Sequence, residues 1–335
     1  MKKSTIKDIS AASGFSNSTV SKALNNNKEI SKKTRDKIKA IASKLNYSPN
    51  FFASRLRNNV VKNIGIIIPD ILNYFFAKVI KGVHQELYKS GYNLTCFFSE
   101  ESATNEKKII KKLRDGSIAG LMISLAKDKY KENTVNTLKD LKSYNIPVLM
   151  FDRIAHDYQC DKVYMDNFKA TFDCVNHLSN KGKSKIAFIS PIHDTTIGIE
   201  RYNGYIEGLK SNNIEYKNEL YLASSDGDNI ESEIIKLTAD NKIDALICMD
   251  PQSTVSIHSL LLNLGYKIPI DIALLGFTDG PMYEFIKPSI TCVNQHGEYL
   301  GKYSAKILLD RINNKLGNEF IDEKIPTSLI IRDST

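Results

Sequence analysis

Seven short apolar runs beyond residue 62 constrain the fold of this chain more than any other feature. The runs lie at 64–68, 94–98, 121–125, 148–151, 186–189, 245–249 and 272–276. Segments with the apolar spacing of amphipathic helices separate them. Strands that alternate with helices form parallel sheets, because a parallel connection needs a long crossover. The sequence therefore predicts an α/β body, built either on one large sheet or on two lobes of similar size.

Positive charge is concentrated at the other end of the chain. The 335 residues carry a net charge of +8. Residues 1–62 contain eleven Lys and three Arg against three acidic residues, a net +11, whereas the remainder is close to neutral at −3. Such a basic segment is the electrostatic footprint of a polyanion binder, with double-stranded DNA as the leading candidate. The alternative, a solvated basic tail, conflicts with the helical patterning of the same residues.

The first residues of the chain carry the pattern of three short helices. Thr5 and Asp8 form a capping-box-like start, and Gly14 ends the first helix in a sharp turn. Ser16 caps the second helix and Ser31 the third. The residues predicted to face the core of this unit are Ile6, Ile9, Ala12, Val20, Ala23, Leu24, Ile38, Ile41, Ala42 and Leu45. The close succession of the first two helices, separated by "GFS", predicts a helix-turn-helix.

The second helix leaves a polar face when its apolar side is turned inward. That face carries Asn17, Ser18, Ser21 and Lys22. In the major groove Asn pairs with adenine and Lys favours guanine, and each good contact discriminates by about 1–3 kcal/mol. We therefore expect these four side chains to read bases. For any one of them, a solvated polar surface is the simpler alternative.

A fourth helix is predicted directly after the three. Ser48 as N-cap and Pro49 at the first helical position favour a helix to about Leu56. It is too short to be stable by itself, so it should fold only against a partner or DNA. The residues expected at the minor groove are Ala53, Arg55, Leu56 and Arg57. Leu56 would act there as an apolar wedge between arginines that bind phosphate. Packing of Leu56 between domains is the alternative.

Polar side chains follow the carboxyl ends of the predicted strands, where ligands bind in parallel sheets. They are Asn73, Ser124, Asp152, Asp250, Thr278 and Asp279, together with the aromatic Phe75. Carboxylates, an amide and an aromatic ring suit a polyhydroxylated ligand such as a sugar. Capping a helix N-terminus is an equally common role for Asp or Asn at such positions.

No enzyme motif accompanies these residues. No GxGxxG follows the first predicted strand, no GxxxxGK[ST] or GxSxG occurs, and neither the six His nor the five Cys show metal-ligand spacing. The start "MKKSTIKDIS" lacks the apolar run of a signal peptide, and no stretch approaches about 18 apolar residues. We therefore expect a cytoplasmic protein that is not an enzyme, needs no cofactor or metal, and keeps its thiols free.

The N-terminal run "TIKDISAASGFSNSTVSKALNNNKEISKKTRDKIKAIASKLNYSPNFFASRLR" resembles the DNA-binding headpiece and hinge of the lactose-repressor (LacI/GalR) family of bacterial transcriptional regulators. "STVSKALN" followed by "YSPN" carries most of the specificity of this match. The similarity continues through "NIGIIIPD", "FDR", "MDN", "IALLGF" and "LIIRDST", so it spans essentially the whole chain.

The resemblance implies three parts, a helix-turn-helix headpiece at 1–47, a hinge helix and linker at 48–61, and an effector-binding and dimerisation domain at 62–335. It implies that the last part has two Rossmann-like lobes, as in periplasmic binding proteins, with the chain crossing between them near 160, 291 and 324. It also implies a homodimer that binds a near-palindromic operator and responds to a small molecule.

The resemblance points to Phe75, Arg201, Asp250 and the "GFTDG" loop as effector contacts. This chain departs from the family pattern at Thr278, where Asp is common, and at Lys22, where Arg is common. The sequence thus predicts a ligand-responsive regulator, expected to be a repressor, whose effector is a sugar or sugar derivative. The alternative is a sugar-binding module whose headpiece serves only in assembly.

Overall fold

The structure is a computed structural model of the chain. It describes residues 5–24, 26–27, 29–45, 47, 61–127, 131–223, 230–240, 242–278 and 280–335, with the backbone alone for 131–133. The chain divides into two compact units, Met1–Val61, which contains the headpiece predicted at 1–47, and Lys62–Thr335, which we call the body. Within the described ranges, none of the helices has the length and apolar character that a membrane crossing requires.

The described part of the headpiece contains the three predicted helices. They are α1 (Ile6–Ser13), α2 (Asn17–Leu24) and α3 (Lys32–Lys44). α1 begins with a complete capping box, because Asp8 N donates to Thr5 Oγ1 while Thr5 N donates to Asp8 Oδ2 at 2.7 Å. It ends at Gly14, whose φ of 75° is accessible to glycine at little cost. The helix-turn-helix follows from this sharp turn.

The core of the headpiece lies between these helices. Ser16 and Ser31 accept hydrogen bonds from backbone amides three residues later, at 3.2 and 3.3 Å, and so cap α2 and α3 as predicted. The buried apolar residues are Ile9, Val20, Ala23, Ile38 and Ala42, and the partly buried ones include Ile6, Leu24, Ile41 and Leu45. The prediction for Ala12 is wrong. Ala12 is exposed, and Ser13 is buried instead because it lies four residues after Ile9 on the same face.

The described residues of the body form two six-stranded sheets, one in each of two lobes. The strands of lobe 1 are β1 (Asn63–Ile68), β2 (Asn93–Phe98), β3 (Gly120–Ile123), β4 (Val148–Phe151), β5 (Asp161–Met165) and β11 (Asp322–Ile325). Those of lobe 2 are β6 (Ile186–Ser190), β7 (Tyr221–Ala223), β8 (Ala245–Cys248), β9 (Ala273–Phe277), β10 (Thr291–Asn294) and β12 (Ser328–Ile330). The strand orders are β11-β5-β4-β3-β1-β2, all parallel, and β12-β10-β9-β8-β6-β7, in which β12 pairs antiparallel with β10.

Helices cover both faces of each sheet. Lobe 1 has α4 (Tyr74–Lys89), α5 (Ala103–Lys112), α6 (Lys131–Lys142) and α12 (Gly297–Ile312). Lobe 2 has α7 (Asn167–Asn180), α8 (Thr196–Ser211), α9 (Ile230–Ala239), α10 (Pro251–Asn263) and α11 (Met282–Phe285). Along β1, Ile66 and Ile68 pack with α4 and α12, whereas Ile67 packs with α5 and α6. Strands buried on both faces explain why the predicted runs are continuously apolar.

All seven predicted apolar runs form strands, and the predicted fold class is confirmed in its two-lobe form. The chain passes from lobe 1 to lobe 2 after β5, returns after β10, and passes to lobe 2 again after β11. These crossings follow Met165, Asn294 and Ile325, slightly later than the positions near 160, 291 and 324 expected from the sequence.

Candidate functional site

The outward face of α2 carries the four side chains predicted to read bases, and we call it the reading face. Its members are Asn17, Ser18 and Lys22, which are exposed, and Ser21, which is half-buried. Asn17 and Ser18 are the first residues of the helix, at the positive end of its dipole. The hinge positions predicted to enter the minor groove, Ala53, Arg55, Leu56 and Arg57, lie outside the described residues.

Lys22, on the reading face, has an ionic partner in the turn after α2. Its Nζ lies 2.6 Å from Glu29 Oε2, and the two side chains are 48% and 66% exposed. The hydrogen bond from Lys22 and its positive charge lower the pKa of the Glu29 carboxyl. A predicted base reader is therefore paired with a carboxylate from the turn that follows its own helix.

A second candidate site lies between the two lobes of the body, at the carboxyl ends of both sheets. This interlobe cleft contains about 530 Å³ of empty space, part of which is open to solvent. Its polar lining residues are Asn73, Asp152, Arg153, Arg201, Asp250, Thr278 and Gln295, and its apolar ones are Phe75, Phe76, Ile192, Ile197, Met249, Pro251 and Phe277.

Arg201, on α8, is the centre of the polar network in the cleft. Its guanidinium donates to Asn167 Oδ1 at 2.9 Å, to the Met249 carbonyl oxygen at 3.0 Å and to Gln295 Oε1 at 3.1 Å. It also lies over the ring of Phe277, 4.2 Å from the ring centroid. Burial lowers the pKa of Arg201 to about 10, so the side chain remains cationic at neutral pH. A fixed positive charge thus stands at the floor of the cleft.

Asp152 supplies a buried carboxylate from lobe 1. It follows β4 directly with a φ of 58°, a conformation that is uncommon for residues other than glycine. Ser124 Oγ donates to its Oδ2 at 3.2 Å, and Ser124 is itself fully buried, so it supports Asp152 and does not line the cleft. Burial raises the pKa of Asp152 to about 6, although Arg153 and Arg201 attract the ionised form. Asp152 and Arg201 therefore bring opposite charges to the cleft from different lobes.

Asn73 and Asp250 combine two roles that the sequence left open. Asn73 Oδ1 accepts a hydrogen bond from Phe75 N at 3.0 Å and begins α4. Asp250 Oδ1 accepts from Ser253 N at 2.9 Å and begins α10. Both residues cap helices, and both line the cleft together with Phe75. Their side chains are therefore held in place by the backbone they cap.

The "GFTDG" loop places one of its two predicted side chains in the cleft. Thr278 lines the cleft, and its Oγ1 accepts a hydrogen bond from Gly280 N at 2.9 Å. Asp279 lies outside the described residues. The predicted effector residues that the structure brings together are Asn73, Phe75, Asp152, Arg201, Asp250 and Thr278.

Some cleft residues were not predicted. Gln295 directly follows β10, so the strand-end rule that marked other positions would have included it, whereas Phe277, the last residue of β9, belongs to the "GFTDG" loop already expected to contact the effector. β10 was overlooked because Thr291 and Asn294 interrupt its apolar pattern. Ile197 carries no polar signal that separates it from an ordinary core residue. The cleft is consequently more apolar than the prediction.

A further charged cluster adjoins the lobe 1 side of the cleft. Arg153 Nη1 lies 2.7 Å from Glu101 Oε2, and the arginine side chain is only 11% exposed. Glu106, which is fully buried, accepts hydrogen bonds from Ala126 N at 2.7 Å and from Thr134 Oγ1. Burial raises the pKa of Glu106 to about 7. Through these hydrogen bonds the carboxyl links α5 to α6 and to the segment after β3. Because burial disfavours its charged form, the carboxyl ionises only near neutral pH.

Two protein-family models each match part of one unit. Residues 5–50 match the model of bacterial regulatory proteins of the lacI family, and residues 175–335 match the model of the periplasmic binding protein-like domain. Fold and sites together define a regulator that joins a DNA-binding helix-turn-helix headpiece to a two-lobe, binding-protein-like body. The chain therefore combines a lacI-family helix-turn-helix domain, as its N-terminal motifs predicted, with a periplasmic-binding-protein-like domain.

Known proteins are similar to the chain over nearly their whole length. The chain is 27% identical over 336 residues to the HTH-type transcriptional repressor PurR of Vibrio vulnificus (strain CMCP6), with 98% of each chain covered. Its fold is similar to that of the Lac repressor dimer bound to operator and the anti-inducer ONPF, with a TM-score of 0.84, 20% identity and 99% of each chain covered. The transcriptional regulator CelR–cellobiose complex is also similar, with a TM-score of 0.74, 22% identity, and 99% of this chain and 100% of that chain covered.

Proposed function

We propose that this chain is a ligand-responsive transcriptional repressor that binds a near-palindromic DNA operator as a homodimer. A sugar or sugar derivative in the interlobe cleft modulates its affinity for that operator. The observation that best supports this function is that one chain combines two features. The headpiece has an outward polar reading face, and the body has a cleft whose central residue, Arg201, donates hydrogen bonds to residues beside two of the interlobe crossings.

The reading face supports the DNA part of this function. Asn17 and Lys22 offer the amide and ammonium groups that suit adenine and guanine edges in the major groove. The net +11 of residues 1–62 provides attraction to phosphates that is independent of sequence. A two-fold dimer presents two reading faces and therefore needs two symmetric half-sites. The Lac repressor structure that this fold resembles is itself a dimer bound to operator.

The cleft supports a polyhydroxylated ligand. Asp152 and Asp250 can accept hydrogen bonds from hydroxyls, and Arg201 can donate to them. The rings of Phe75 and Phe277 provide planar apolar surfaces for the less polar faces of a sugar ring. CelR, whose fold is similar, is in complex with cellobiose. In this proposal the cleft binds a ligand and catalyses no reaction. The protein acts in the cytoplasm, where bacterial DNA lies.

Arg201 offers a route from ligand to lobe movement. It bonds to Asn167, just after the first crossing, and to Gln295, at the second crossing. A ligand that engages Arg201 would therefore favour one angle between the lobes, as in other hinge-type transitions. The ligand would change operator affinity only as far as it binds one lobe arrangement more tightly than the other. Such coupling is typically about 1–3 kcal/mol.

DNA binding as a function of sequence and salt tests this proposal. Selection from a pool of random duplexes should yield a site with two symmetric half-sites. The logarithm of affinity should fall against the logarithm of salt with a slope of about −0.9 for each phosphate contact. A sugar-binding module whose headpiece serves only in assembly would show neither a selected sequence nor this slope. A thermal-shift screen of sugars, nucleosides and amino acids would identify the ligand, because binding to the native state raises its stability.

A further inference from the structure

We infer that Glu29, beside the reading face, is a specificity-determining residue that positions Lys22 to read one G·C base pair. Because this role presupposes the proposed DNA-binding function, it deepens that function and does not add another. Lys22 Nζ lies 2.6 Å from Glu29 Oε2 on an exposed part of the headpiece. The carboxylate therefore stands where the second helix is expected to meet DNA.

The backbone at Glu29 is held by hydrogen bonds of the turn between α2 and α3. Glu29 N donates to Asn27 Oδ1 at 2.9 Å. From α3, Arg35 Nη1 donates to the Asn26 carbonyl oxygen at 3.2 Å, and Lys39 Nζ donates to Asn26 Oδ1 at 2.6 Å. Glu29 is thus presented at a defined position relative to α2, although it belongs to a loop.

Folding stability does not account for this ion pair. Pairs as exposed as Lys22 and Glu29 contribute little to folding, because solvent screens them. Close to DNA, a carboxylate would also repel the phosphates that the many basic residues attract. Residues 1–62 contain only three acidic side chains, of which Asp8 belongs to the capping box of α1. The place of Glu29 beside a base reader therefore points to a role in the interface itself.

The chemistry of the pair matches one type of base pair. In the major groove, a G·C pair presents the guanine acceptors O6 and N7 beside the cytosine N4 amino donor. Lys22 offers a donor for guanine, and Glu29 offers an acceptor for cytosine N4, with the two groups already side by side. Glu29 also neutralises the Lys22 ammonium, which reduces its attraction to phosphates of any sequence. A general cation thereby becomes a reader of one base pair.

The substitution Glu29→Gln tests this role because it keeps the side-chain shape and removes the charge. We expect the ratio of operator affinity to random-duplex affinity to fall about 10-fold or more, with loss of preference at one G·C pair in each half-site. Affinity for random duplex should rise. The salt slope on random duplex should steepen by up to about 0.9, because the released Lys22 can contact a phosphate.

Asp36→Asn provides the matched control. Asp36 is an exposed acid of α3, so its replacement removes the same charge and leaves the Lys22 pair intact. It should raise affinity for all sequences alike and leave the affinity ratio unchanged. In a Lys22→Ala background, Glu29→Gln should lower the ratio less than it does in the wild type, because only the direct contact of Glu29 with cytosine remains to be lost. Thermal melting of each variant verifies that it is folded.

The outcomes separate the two levels of the proposal. A folded wild-type protein without sequence preference would refute the proposed DNA-reading function. Sequence preference in the wild type, together with equal effects of Glu29→Gln and Asp36→Asn, would refute the role of Glu29 and leave the DNA-reading function standing. An affinity ratio that falls for Glu29→Gln and not for Asp36→Asn supports both the DNA-reading function and the role of Glu29.

Discussion

Arg201 Nη2 donates a hydrogen bond of 3.1 Å to Oε1 of Gln295, the residue that directly follows β10. The same guanidinium donates to Asn167 Oδ1 at 2.9 Å, two residues after β5 ends. β5 belongs to lobe 1 and β10 to lobe 2, and each precedes a crossing between the lobes. One buried side chain therefore joins the floor of the cleft to two of the segments that cross between the lobes.

Replacement of Arg201 by Ala should destabilise the body strongly. The change removes the hydrogen bonds that the guanidinium donates to Asn167 Oδ1, the Met249 carbonyl oxygen and Gln295 Oε1, together with the positive charge that Asp152 attracts. Losses of this kind cost about 3 kcal/mol of unfolding free energy. Urea unfolding followed by far-UV circular dichroism measures it, since the chain has no Trp.

Lys210→Ala, on the same helix, is the matched control for this change. Its side chain is 78% exposed, so the expected effect lies within about 0.5 kcal/mol. Similar small losses for Arg201→Ala and Lys210→Ala would contradict the structural role of the guanidinium.

Glu106→Gln should flatten the dependence of stability on pH. Burial raises the pKa of Glu106 from 4.5 to about 7. Between pH 4.5 and about pH 7, Glu106 is therefore protonated in the folded state and ionised in the unfolded state. Its contribution to stability consequently falls as pH rises through this window and stays low above it. The Gln variant should gain on the order of 1–3 kcal/mol at pH 8 relative to wild type and much less at pH 5.

Urea midpoints at the two pH values provide the measurement. A residual slope should persist in Glu106→Gln, because burial also raises the pKa of Asp152 to about 6. The exposed Glu215 provides the control, and Glu215→Gln should leave the wild-type pH profile unchanged. Equal profiles for both variants would show that Glu106 is not the titrating group.

Asn17→Ala and Lys22→Ala should relax sequence preference more than they weaken non-specific binding. Contacts to base edges specify the sequence, whereas contacts to phosphates position the protein. Each substitution should cost about 1–3 kcal/mol on the selected operator. Fluorescence anisotropy with operator and random duplexes separates the two effects. An equal loss on both duplexes would mean that these side chains do not read bases.

Leu56→Ala should reduce DNA bending without unfolding the body. An apolar wedge in a minor-groove step unstacks bases and kinks the duplex, so its loss leaves the DNA straighter and operator binding weaker. Leu72→Ala is the control, because Leu72 is an exposed leucine of the body. Energy transfer between dyes at the two ends of the duplex reports the bend. An unchanged bend angle for Leu56→Ala would favour packing of Leu56 between domains.

Local patterns predicted most of the helices and strands. Capping side chains such as Ser16 and Ser31 stand three residues before the amides they bind, and strands buried on both faces appear as unbroken apolar runs. Other strands carry no such pattern. β7 and β12 are only three residues long, and β11 begins with three exposed polar residues. Those strands depend on pairing with neighbours that are distant in the sequence.

The sequence predicted several of the strand-end residues that line the cleft, but it did not predict the hydrogen bonds within the site. Strand ends and family motifs together marked Asp152, Asp250 and Thr278. The partners of Arg201 come from segments 34, 48 and 94 residues away in the chain. No local pattern encodes such distances, because they depend on how the crossings bring the lobes together. The pair of Lys22 and Glu29 was also not predicted, because it forms across the turn that follows α2 and not within a helix.

The central claim is that cleft ligand and operator influence each other's binding. The most direct test measures operator affinity with and without the ligand found by thermal shift, and ligand affinity with and without the operator. Thermodynamic linkage requires the two factors to be equal, and we expect a value of about 5–150. A ligand that binds the body but leaves operator affinity unchanged, in wild-type protein that reads its operator, would contradict the account.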